Sequence, residues 1–339
     1  MSRGRLALAA ACLLAGLGGC RRGAPAAATD APPESALTVT VGYQRSSWAF
    51  LYLRHQGWLD ARLAAAGAKV RWLEFTAGPP ILEGMNAGSV DVALVGDAPP
   101  LFAQAGGLHF AYAAVEPPKP EAAAVLVLAD SPLRRISELA GKKVALQKGS
   151  SAQHLLLESL RAAGMTWADI QPVYLAPPDA RAAFEHGSVD AWAIWDPYYA
   201  AAQQQLRARP LQGPLPRFSY RQFLVVRPEL PQAHRPAYDQ LLAALADAER
   251  QIQQAPDEAA TLLAADAHID AQILTRALRR SQFGLRPIDN EVWSEQQVLA
   301  DEFAKLRLIG RAPDVRAAAL SLPAASLPVG SALASGTRQ

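Results

Sequence analysis

A short sequence pattern occurs twice in this chain. Residues 86–91 read Asn-Ala-Gly-Ser-Val-Asp, and residues 185–190 read Glu-His-Gly-Ser-Val-Asp. An apolar strand pattern follows each copy, and an aspartate, Asp97 or Asp196, then stands within two residues of a proline. Since helix, glycine, strand and Asp-capped helix come in the same order both times, coincidence is the weaker explanation. The pattern predicts two lobes of similar topology.

Strand and helix patterns alternate through both copies. A helix is predicted from Ser46 or Ser47 after the first strand, because serine is a favourable N-cap residue. The predicted strands span 37–41, 70–75, 90–95, 123–128, 143–146, 172–175 and 189–194. This alternation is typical of largely parallel sheets with helices on both faces, so the predicted fold class is a two-lobed α/β fold with a ligand cleft between the lobes.

The length of 339 residues suits two domains of ordinary size. A further strand is predicted at 222–226, and the pattern after it is helical. The strands at 123–128 and 222–226 are expected to carry the two crossings of the chain between the lobes. We therefore expect the first lobe at 37–125, the second lobe at 126–222, a return strand and C-terminal helices on the first lobe at 223–317, and a loose tail at 318–339.

The N-terminus has the composition of a secretory signal peptide. Arg3 and Arg5 precede an apolar stretch that is too short to span a bilayer. Residues 17–20, Leu-Gly-Gly-Cys, resemble a lipobox, which predicts a signal peptide at 1–19, lipidation of Cys20 and a lipid-anchored tether at 20–36. Residues 26–28, Ala-Ala-Ala, offer an ordinary cleavage site instead, so soluble release into the periplasm stays open.

Composition argues against several classes of function. The formal net charge is +2 and the basic residues are scattered, which does not suggest a nucleic-acid surface. The six histidines lack paired ligand spacing, so we expect no metal site and no cofactor. Ser150 and His154 lie four positions apart, but no nucleophile elbow surrounds them. We therefore expect no catalytic residues and no enzyme activity.

Four predicted strand-to-helix turns carry the candidate binding residues. Ligands of open parallel sheets bind beyond the carboxyl ends of the strands, where helices begin. If the lobes face each other, these four turns converge on one cleft. The candidate residues are Gln44, Arg45, Ser46 and Ser47 in the first turn, Gly96 and Asp97 in the second, Gly149, Ser150 and Ser151 in the third, and Trp195, Asp196 and Tyr198 in the fourth.

The chemistry of these turns favours an anion with an apolar tail. Backbone N–H groups at helix starts, together with the helix dipole, attract negative charge. Serine hydroxyls and Gln44 add donors, Arg45 adds a formal charge, and tryptophans such as Trp48 and Trp195 offer apolar walls. Each residue also has an alternative role that involves no ligand. The serines and aspartates could serve only as N-caps, Arg45 could be a solvated side chain, and Trp192 could be a core residue.

Several stretches of the chain resemble the aliphatic-sulfonate-binding proteins of ABC importers, which are close to the taurine- and nitrate-binding receptors. The similarity runs from about residue 37 to about residue 315, with departures at Ser46, Trp48 and 220–223. The matching motifs are Val-Gly-Tyr-Gln-Arg at 41–45, Glu-Phe-Thr-Ala-Gly-Pro at 74–79, Asn-Ala-Gly-Ser-Val-Asp at 86–91, Gly-Asp-Ala-Pro-Pro at 96–100, Glu-Pro-Pro-Lys-Pro at 116–120, Gln-Lys-Gly-Ser-Ser-Ala at 147–152, Asp-Ala-Arg-Ala-Ala-Phe at 179–184 and Asp-Ala-Trp-Ala-Ile-Trp-Asp-Pro-Tyr at 190–198.

The resemblance implies a type II periplasmic-binding fold that closes over its ligand, a membrane permease and a cytoplasmic ATPase as partners, and a role in uptake of organic sulfur. The ligand that it implies is a small alkanesulfonate; taurine, sulfate esters, aromatic sulfonates and nitrate remain alternatives. A synthase of thiamine biosynthesis on the same fold is a rival, but the signal peptide and the cysteine-free folded part argue against it. A sensory lipoprotein without a transporter is another.

Overall fold

The computed structural model describes residues 37–213 and 218–321. The expected signal peptide, the tether with Cys20 and residues 322–339 lie outside the described residues. Within the described ranges the strands, in chain order, are β1 (Leu37–Tyr43), β2 (Ala68–Glu74), β3 (Val92–Gly96), β4 (Ala111–Val115), β5 (Ala123–Val127), β6 (Lys143–Leu146), β7 (Gln171–Tyr174), β8 (Ala191–Trp195), β9 (Arg209–Pro210) and β10 (Gln222–Val226).

The α-helices of the same ranges are α1 (Trp48–Gln56), α2 (Trp58–Ala65), α3 (Gly78–Asn86), α4 (Ala98–Ala105), α5 (Ser151–Ala162), α6 (Pro177–Glu185), α7 (Tyr198–Gln205), α8 (Glu229–Ala233), α9 (Arg235–Gln254), α10 (Pro256–Ala267), α11 (Ala271–Arg280) and α12 (Asn290–Lys305). None of the helices in the described part of the chain has the length and apolar character needed to cross a membrane.

The strands form two five-stranded sheets with equivalent orders. The first sheet has the order β2-β1-β3-β10-β4, and the second has β7-β6-β8-β5-β9. In each sheet four strands run in one direction, and the fourth in order is antiparallel to both its neighbours. The two copies of the repeated sequence pattern precede β3 and β8, the central strands. The predicted two-lobed α/β fold is therefore confirmed.

Each sheet is covered by helices on both faces, in keeping with its central strands, which are buried on both sides. Helices α1, α2 and α9–α11 pack with one face of the first sheet, while α3, α4 and α12 pack with the other. Helices α5–α7 enclose the second sheet. We call the first sheet with α1–α4 and α8–α12 the first lobe, and the second sheet with α5–α7 the second lobe.

Two segments connect the lobes and are hydrogen-bonded to each other. The backbone N–H of Glu116 donates to the carbonyl of Gln222 (2.8 Å), and that of Lys119 donates to the carbonyl of Tyr220 (3.0 Å). The side chains of Glu116 and Lys119 form a buried ion pair beside these bonds. The two crossings thus form one paired hinge.

Helix α2 and strand β4 were not predicted from the sequence. Helix α2 begins directly after Gly57, whose left-handed backbone (φ 66°) ends α1 and starts the next helix without a loop. Strand β4 is an almost uniformly apolar run, which lacks the alternation that marks a half-exposed strand. The expected tail also starts later than residue 318, because Ala319 pairs with Tyr112 and extends the first sheet by one bridge.

Candidate functional site

The turn after β1 is buried and closed by its own serine. Gln44, Ser46 and Ser47 are each at most 4% exposed. Ser47 is the N-cap residue of α1, as expected, yet its hydroxyl makes no cap bond; it accepts from the N–H of Gln44 (3.2 Å). The Oε1 atom of Gln44 is buried and has no hydrogen-bond partner among the described residues. This turn therefore leaves one buried polar group available to a ligand.

The turn after β3 is joined to the second lobe by a buried pair. Asp97 caps α4, as predicted, by accepting from the N–H of Ala98 (2.8 Å). Its other carboxylate oxygen lies 2.8 Å from Nδ1 of His154 on α5. Both side chains are less than 10% exposed. Asp97 is thus both a helix cap and a contact between the lobes.

The turn after β6 contains two serines with different roles. Ser150 caps α5 by accepting from the N–H of Ala152 (3.2 Å), and its hydroxyl donates to the carbonyl of Gln147 (2.7 Å). Ser151 is equally buried, but its hydroxyl has no hydrogen-bond partner among the described residues. Of the two hydroxyls, the one on Ser151 is the better placed to bind a ligand.

Glycines allow the second and third turns to touch. A Cβ added to Gly96 would lie 2.0 Å from Oγ of Ser151, which no side chain could tolerate without movement. Gly149 has a left-handed backbone (φ 71°), and a Cβ there would lie 3.3 Å from the ring of Phe102 on α4. The N-terminal ends of α4 and α5 therefore meet across the cleft.

The turn after β8 requires a correction. Asp196 is not the N-cap of α7: Pro197 takes that position, and the Asp196 carboxylate instead accepts from the N–H of Ala200 (2.9 Å). The reason is that the first helical hydrogen bond runs from the N–H of Ala201 to the carbonyl of Pro197 (2.9 Å), which moves the helix start one residue further along. Asp196 and Trp195 are both buried.

Arg280 of the first lobe compensates the charge of Asp196. Its Nη1 lies 3.4 Å from both carboxylate oxygens, Nη2 donates to Gln203, and the guanidinium stacks 3.9 Å from the Tyr199 ring centroid. Burial raises the pKa of Asp196 to about 6, and the nearby Arg280 opposes that shift. This is a second polar contact between the lobes.

The aromatic side chains divide between core and cleft. Trp192 is fully buried, packs against Phe184 and Tyr198, and belongs to the core, as one of the two sequence interpretations held. Trp48 is also buried and donates its indole N–H to Ser281 (3.1 Å). Tyr198 is half-buried at the edge of the cleft, so it and Trp195 remain the aromatic candidates.

Tyr220 and Gln222 at the second crossing were not among the predicted site residues. Tyr220 has a left-handed backbone (φ 42°) and stacks on Phe218 at 5.7 Å. Burial and the neighbouring carboxylates of Asp97 and Asp196 raise the pKa of Tyr220 well above its usual value. Its ring lies against the turn after β3, since a Cβ added to Gly96 would be 3.7 Å from Cε2 of Tyr220. The only sequence signal was that residues 220–223 depart from the family pattern.

The two buried carboxylates of the cleft turns have partners, and several neutral buried groups nearby have none in the part of the chain that the structure describes. Asp97 faces His154, and Asp196 faces Arg280. Arg45 is half-exposed, with Nε 3.7 Å from Glu74. The buried atoms without a partner among the described residues include Gln44 Oε1, Ser151 Oγ, Gln153 Nε2 and Gln222 Oε1. No group of three metal-ligating side chains occurs in residues 37–213 and 218–321.

Comparison with known proteins gives consistent matches over most of the chain. The family model described as NMT1/THI5 like matches residues 63–259. A protein of Escherichia coli (strain K12), provisionally named aliphatic sulfonates-binding protein, is 39% identical over 292 residues, which are 86% of this chain and 90% of that one. A protein of Bacillus subtilis (strain 168) with the same provisional name is 30% identical over 93% of this chain and 94% of its own.

Solved structures agree with these matches. The alkanesulfonate-binding protein of Xanthomonas axonopodis pv. citri, bound to MOPS, is 35% identical with a TM-score of 0.78, over 83% of this chain and 97% of that chain. The periplasmic aliphatic sulphonate binding protein of E. coli is 38% identical with a TM-score of 0.75, over 84% and 98%. A desulfurization enzyme at 17% identity and a TM-score of 0.61 shares the fold alone.

Proposed function

We propose a function from one premise: this chain belongs to the NMT1/THI5-like family and, within it, to the aliphatic-sulfonate-binding proteins. It is an extracytoplasmic solute-binding receptor of an ABC importer, which captures aliphatic sulfonates and delivers them to the permease for organic-sulfur uptake. The observation that carries this proposal is the meeting of two helix N-termini at Gly96 and Ser151, from opposite lobes. Such a junction concentrates backbone N–H dipoles on one anionic group.

The sulfonate is held by neutral donors in this proposal. The two buried carboxylates of the cleft already have partners in His154 and Arg280, so neither needs the ligand as a hydrogen-bond donor. The hydroxyl of Ser151 and the helix N–H groups supply hydrogen bonds. The proposed ligand-binding residues are Gln44, Arg45, Ser46, Ser47, Gly96, Asp97, Gly149, Ser150, Ser151, Trp195, Asp196 and Tyr198.

The tail of the ligand runs along the aromatic side of the cleft. Trp195 ends β8 and Tyr198 begins α7, so the two aromatic rings flank the turn that holds Asp196. Ligand binding favours the closed arrangement of the lobes, because groups of both lobes contact one molecule. The closed form then docks on the membrane permease, whose cytoplasmic ATPase drives uptake; binding and release involve no covalent step.

The protein acts in the periplasm, in line with its periplasmic relative of known structure. We propose further that Cys20, which lies outside the described residues, is lipidated and anchors the chain to a membrane. Mass spectrometry of the membrane fraction tests this point. A diacylated or triacylated N-terminal cysteine is the expected result, and an unmodified N-terminus at Thr29 would disprove the anchor.

Calorimetric titration tests the function. Protein starting at Gly23 is refolded to remove bound ligand and titrated, in a buffer free of sulfonates, with methane-, ethane-, butane- and octanesulfonate, taurine, nitrate and sulfate. We expect binding of at least one alkanesulfonate and its loss or strong weakening in Ser151→Ala.

The matched control is Ser294→Ala, since that exposed hydroxyl bonds only within its own helix in the described structure; it should bind like the wild type. If nitrate or sulfate binds and no sulfonate does, the proposal is wrong, while the fold assignment stands.

A further inference from the structure

A small pocket opens between the lobes beside Tyr198, separate from the turns that meet at Ser151. Its volume is about 100 Å³. The first lobe contributes Arg45 from the turn after β1 and His268 and Asp270 from the connection between α10 and α11; the second lobe contributes Arg181 from α6. We call it the mouth pocket. It exists only while the two lobes are in contact, because its walls belong to both.

Two guanidinium groups from opposite lobes face this pocket. Burial raises the pKa of Tyr198; Arg45 and Arg181 oppose this rise, while Glu74 adds to it. Arg45 belongs to the first lobe and Arg181 to the second, so lobe closure brings two positive charges toward the Tyr198 hydroxyl. That approach costs free energy unless negative charge lies between them.

The negative charge already present compensates these arginines only in part. Nε of Arg45 is 3.7 Å from Glu74, and Nε of Arg181 is 4.0 Å from Glu185, with all four side chains at least one-third exposed. Ion pairs of this length and exposure are weak. Asp270, the carboxylate in the pocket wall, caps α11 through the N–H of Gln272 and keeps its negative charge. Arg181 also donates to Gln205 (2.6 Å), which is neutral. With His268 neutral, the two guanidinium groups and the one carboxylate of the wall leave it with one net positive charge.

The mouth pocket adjoins the proposed tail path of the ligand. The Tyr198 ring forms part of its wall and packs on Trp192 at the other side, and Ser46 and Ser47, next in sequence to Arg45, are buried in the cleft. A ligand whose sulfonate lies at Ser151 and whose chain passes Tyr198 would therefore place its far end here.

We propose that the mouth pocket binds a second anionic group at the far end of the ligand. The substrate class then includes short sulfonates that carry a terminal carboxylate or a second sulfonate. This inference rests on the proposed function. A second anion would bridge Arg45 and Arg181 and so stabilise the closed form beyond what a simple alkanesulfonate achieves, whereas a terminal ammonium would add to the repulsion.

The test compares ligands of equal shape and different charge by calorimetric titration in a chloride buffer. The pairs are 3-sulfopropanoate with 3-methylbutane-1-sulfonate, and 4-sulfobutanoate with 4-methylpentane-1-sulfonate; 3-aminopropane-1-sulfonate serves as the cationic counterpart. The variant is Arg181→Gln, since Arg181 is not among the residues proposed to hold the sulfonate. We expect it to weaken at least one dianion about three- to tenfold and to leave the monoanionic isosteres within about twofold.

Two further variants separate charge from structure. Arg181→Lys keeps the charge and should retain most of the affinity for the dianion. Arg250→Gln removes a similarly exposed, paired arginine from α9 and should leave every ligand unaffected. Equal effects of Arg181→Gln on dianions and isosteres, or tighter binding of the aminosulfonate than of the dianions, would overturn this inference alone. Failure of every sulfonate to bind would overturn the proposed function, and this inference with it.

Discussion

His154 and Asp97 join the two lobes through a buried contact: Nδ1 of His154 on α5 lies 2.8 Å from a carboxylate oxygen of Asp97 at the start of α4. The same carboxylate caps α4 through its other oxygen. The Asp97 carboxylate, which caps the start of α4 in the first lobe, therefore also contacts the second lobe. This arrangement links closure of the cleft to the helix N-terminus at which we propose the ligand binds.

Replacing His154 by Ala should weaken ligand binding about tenfold, because a buried carboxylate that loses a hydrogen-bond partner costs about 1–3 kcal/mol and this partner is present only in the closed form. Titration with the best-binding alkanesulfonate measures the effect. The control is His186→Ala, an exposed histidine at the end of α6. An unchanged affinity in His154→Ala would show that the contact does not contribute to closure.

Gly96→Ala should prevent the two turns from meeting, because the new methyl group would lie 2.0 Å from Ser151 Oγ. We expect affinity to fall about ten- to hundredfold, since overpacking at a close contact costs about 1–3 kcal/mol. Closure is measured as the decrease in the radius of gyration on adding ligand in small-angle scattering, and Gly96→Ala should lack this decrease. Gly310→Ala, where a Cβ meets nothing within 4 Å, should bind normally. Normal binding by Gly96→Ala would contradict the proposed contact.

Asp196 should make stability depend on pH in a defined direction. Burial raises its pKa from 3.8 to about 6, so the folded state favours the protonated form. The contribution of the protonated Asp196 carboxyl to the free energy of unfolding is fully present below about pH 4. It is lost as the pH rises through about 6, and the loss is about 2–3 kcal/mol. The free energy of unfolding of Asp196→Asn relative to wild type should therefore increase from pH 4 to pH 7. Denaturant unfolding at four pH values measures it, and a pH-independent difference would refute it.

Arg280→Met should destabilise the closed protein more than its neighbour Arg279→Met. Arg280 is mostly buried and compensates Asp196, whereas Arg279 is exposed and pairs with exposed Asp257. Removing the partner of a buried charge costs about 3–5 kcal/mol, while an exposed pair contributes about 0–1 kcal/mol. Thermal and denaturant unfolding of both variants with saturating ligand compares them. Equal losses would contradict the assigned role of Arg280.

Local patterns in the sequence determined the architecture. The repeated Gly-Ser-Val-Asp pattern predicted two similar sheets, and β3 and β8 follow its two copies. Asp97 was predicted as an N-cap because capping depends on residues one to three positions away. The apolar position of Trp192 between strand neighbours likewise indicated the core. Where the pattern was locally ambiguous, as in the uniformly apolar β4 or the start of α7 at Pro197, the prediction failed or shifted.

Tertiary structure alone decided which polar groups meet. Asp97 contacts His154 at a separation of 57 residues, and Asp196 contacts Arg280 at a separation of 84. Neither pairing has a periodic or local signature, because each forms only when two lobes approach each other. The same holds for Tyr220: the departure of residues 220–223 from the family pattern did not indicate that its ring packs against the turn that holds Gly96. Sequence periodicity encodes which face of an element is buried; the partners across the cleft follow from how separately folded surfaces fit together.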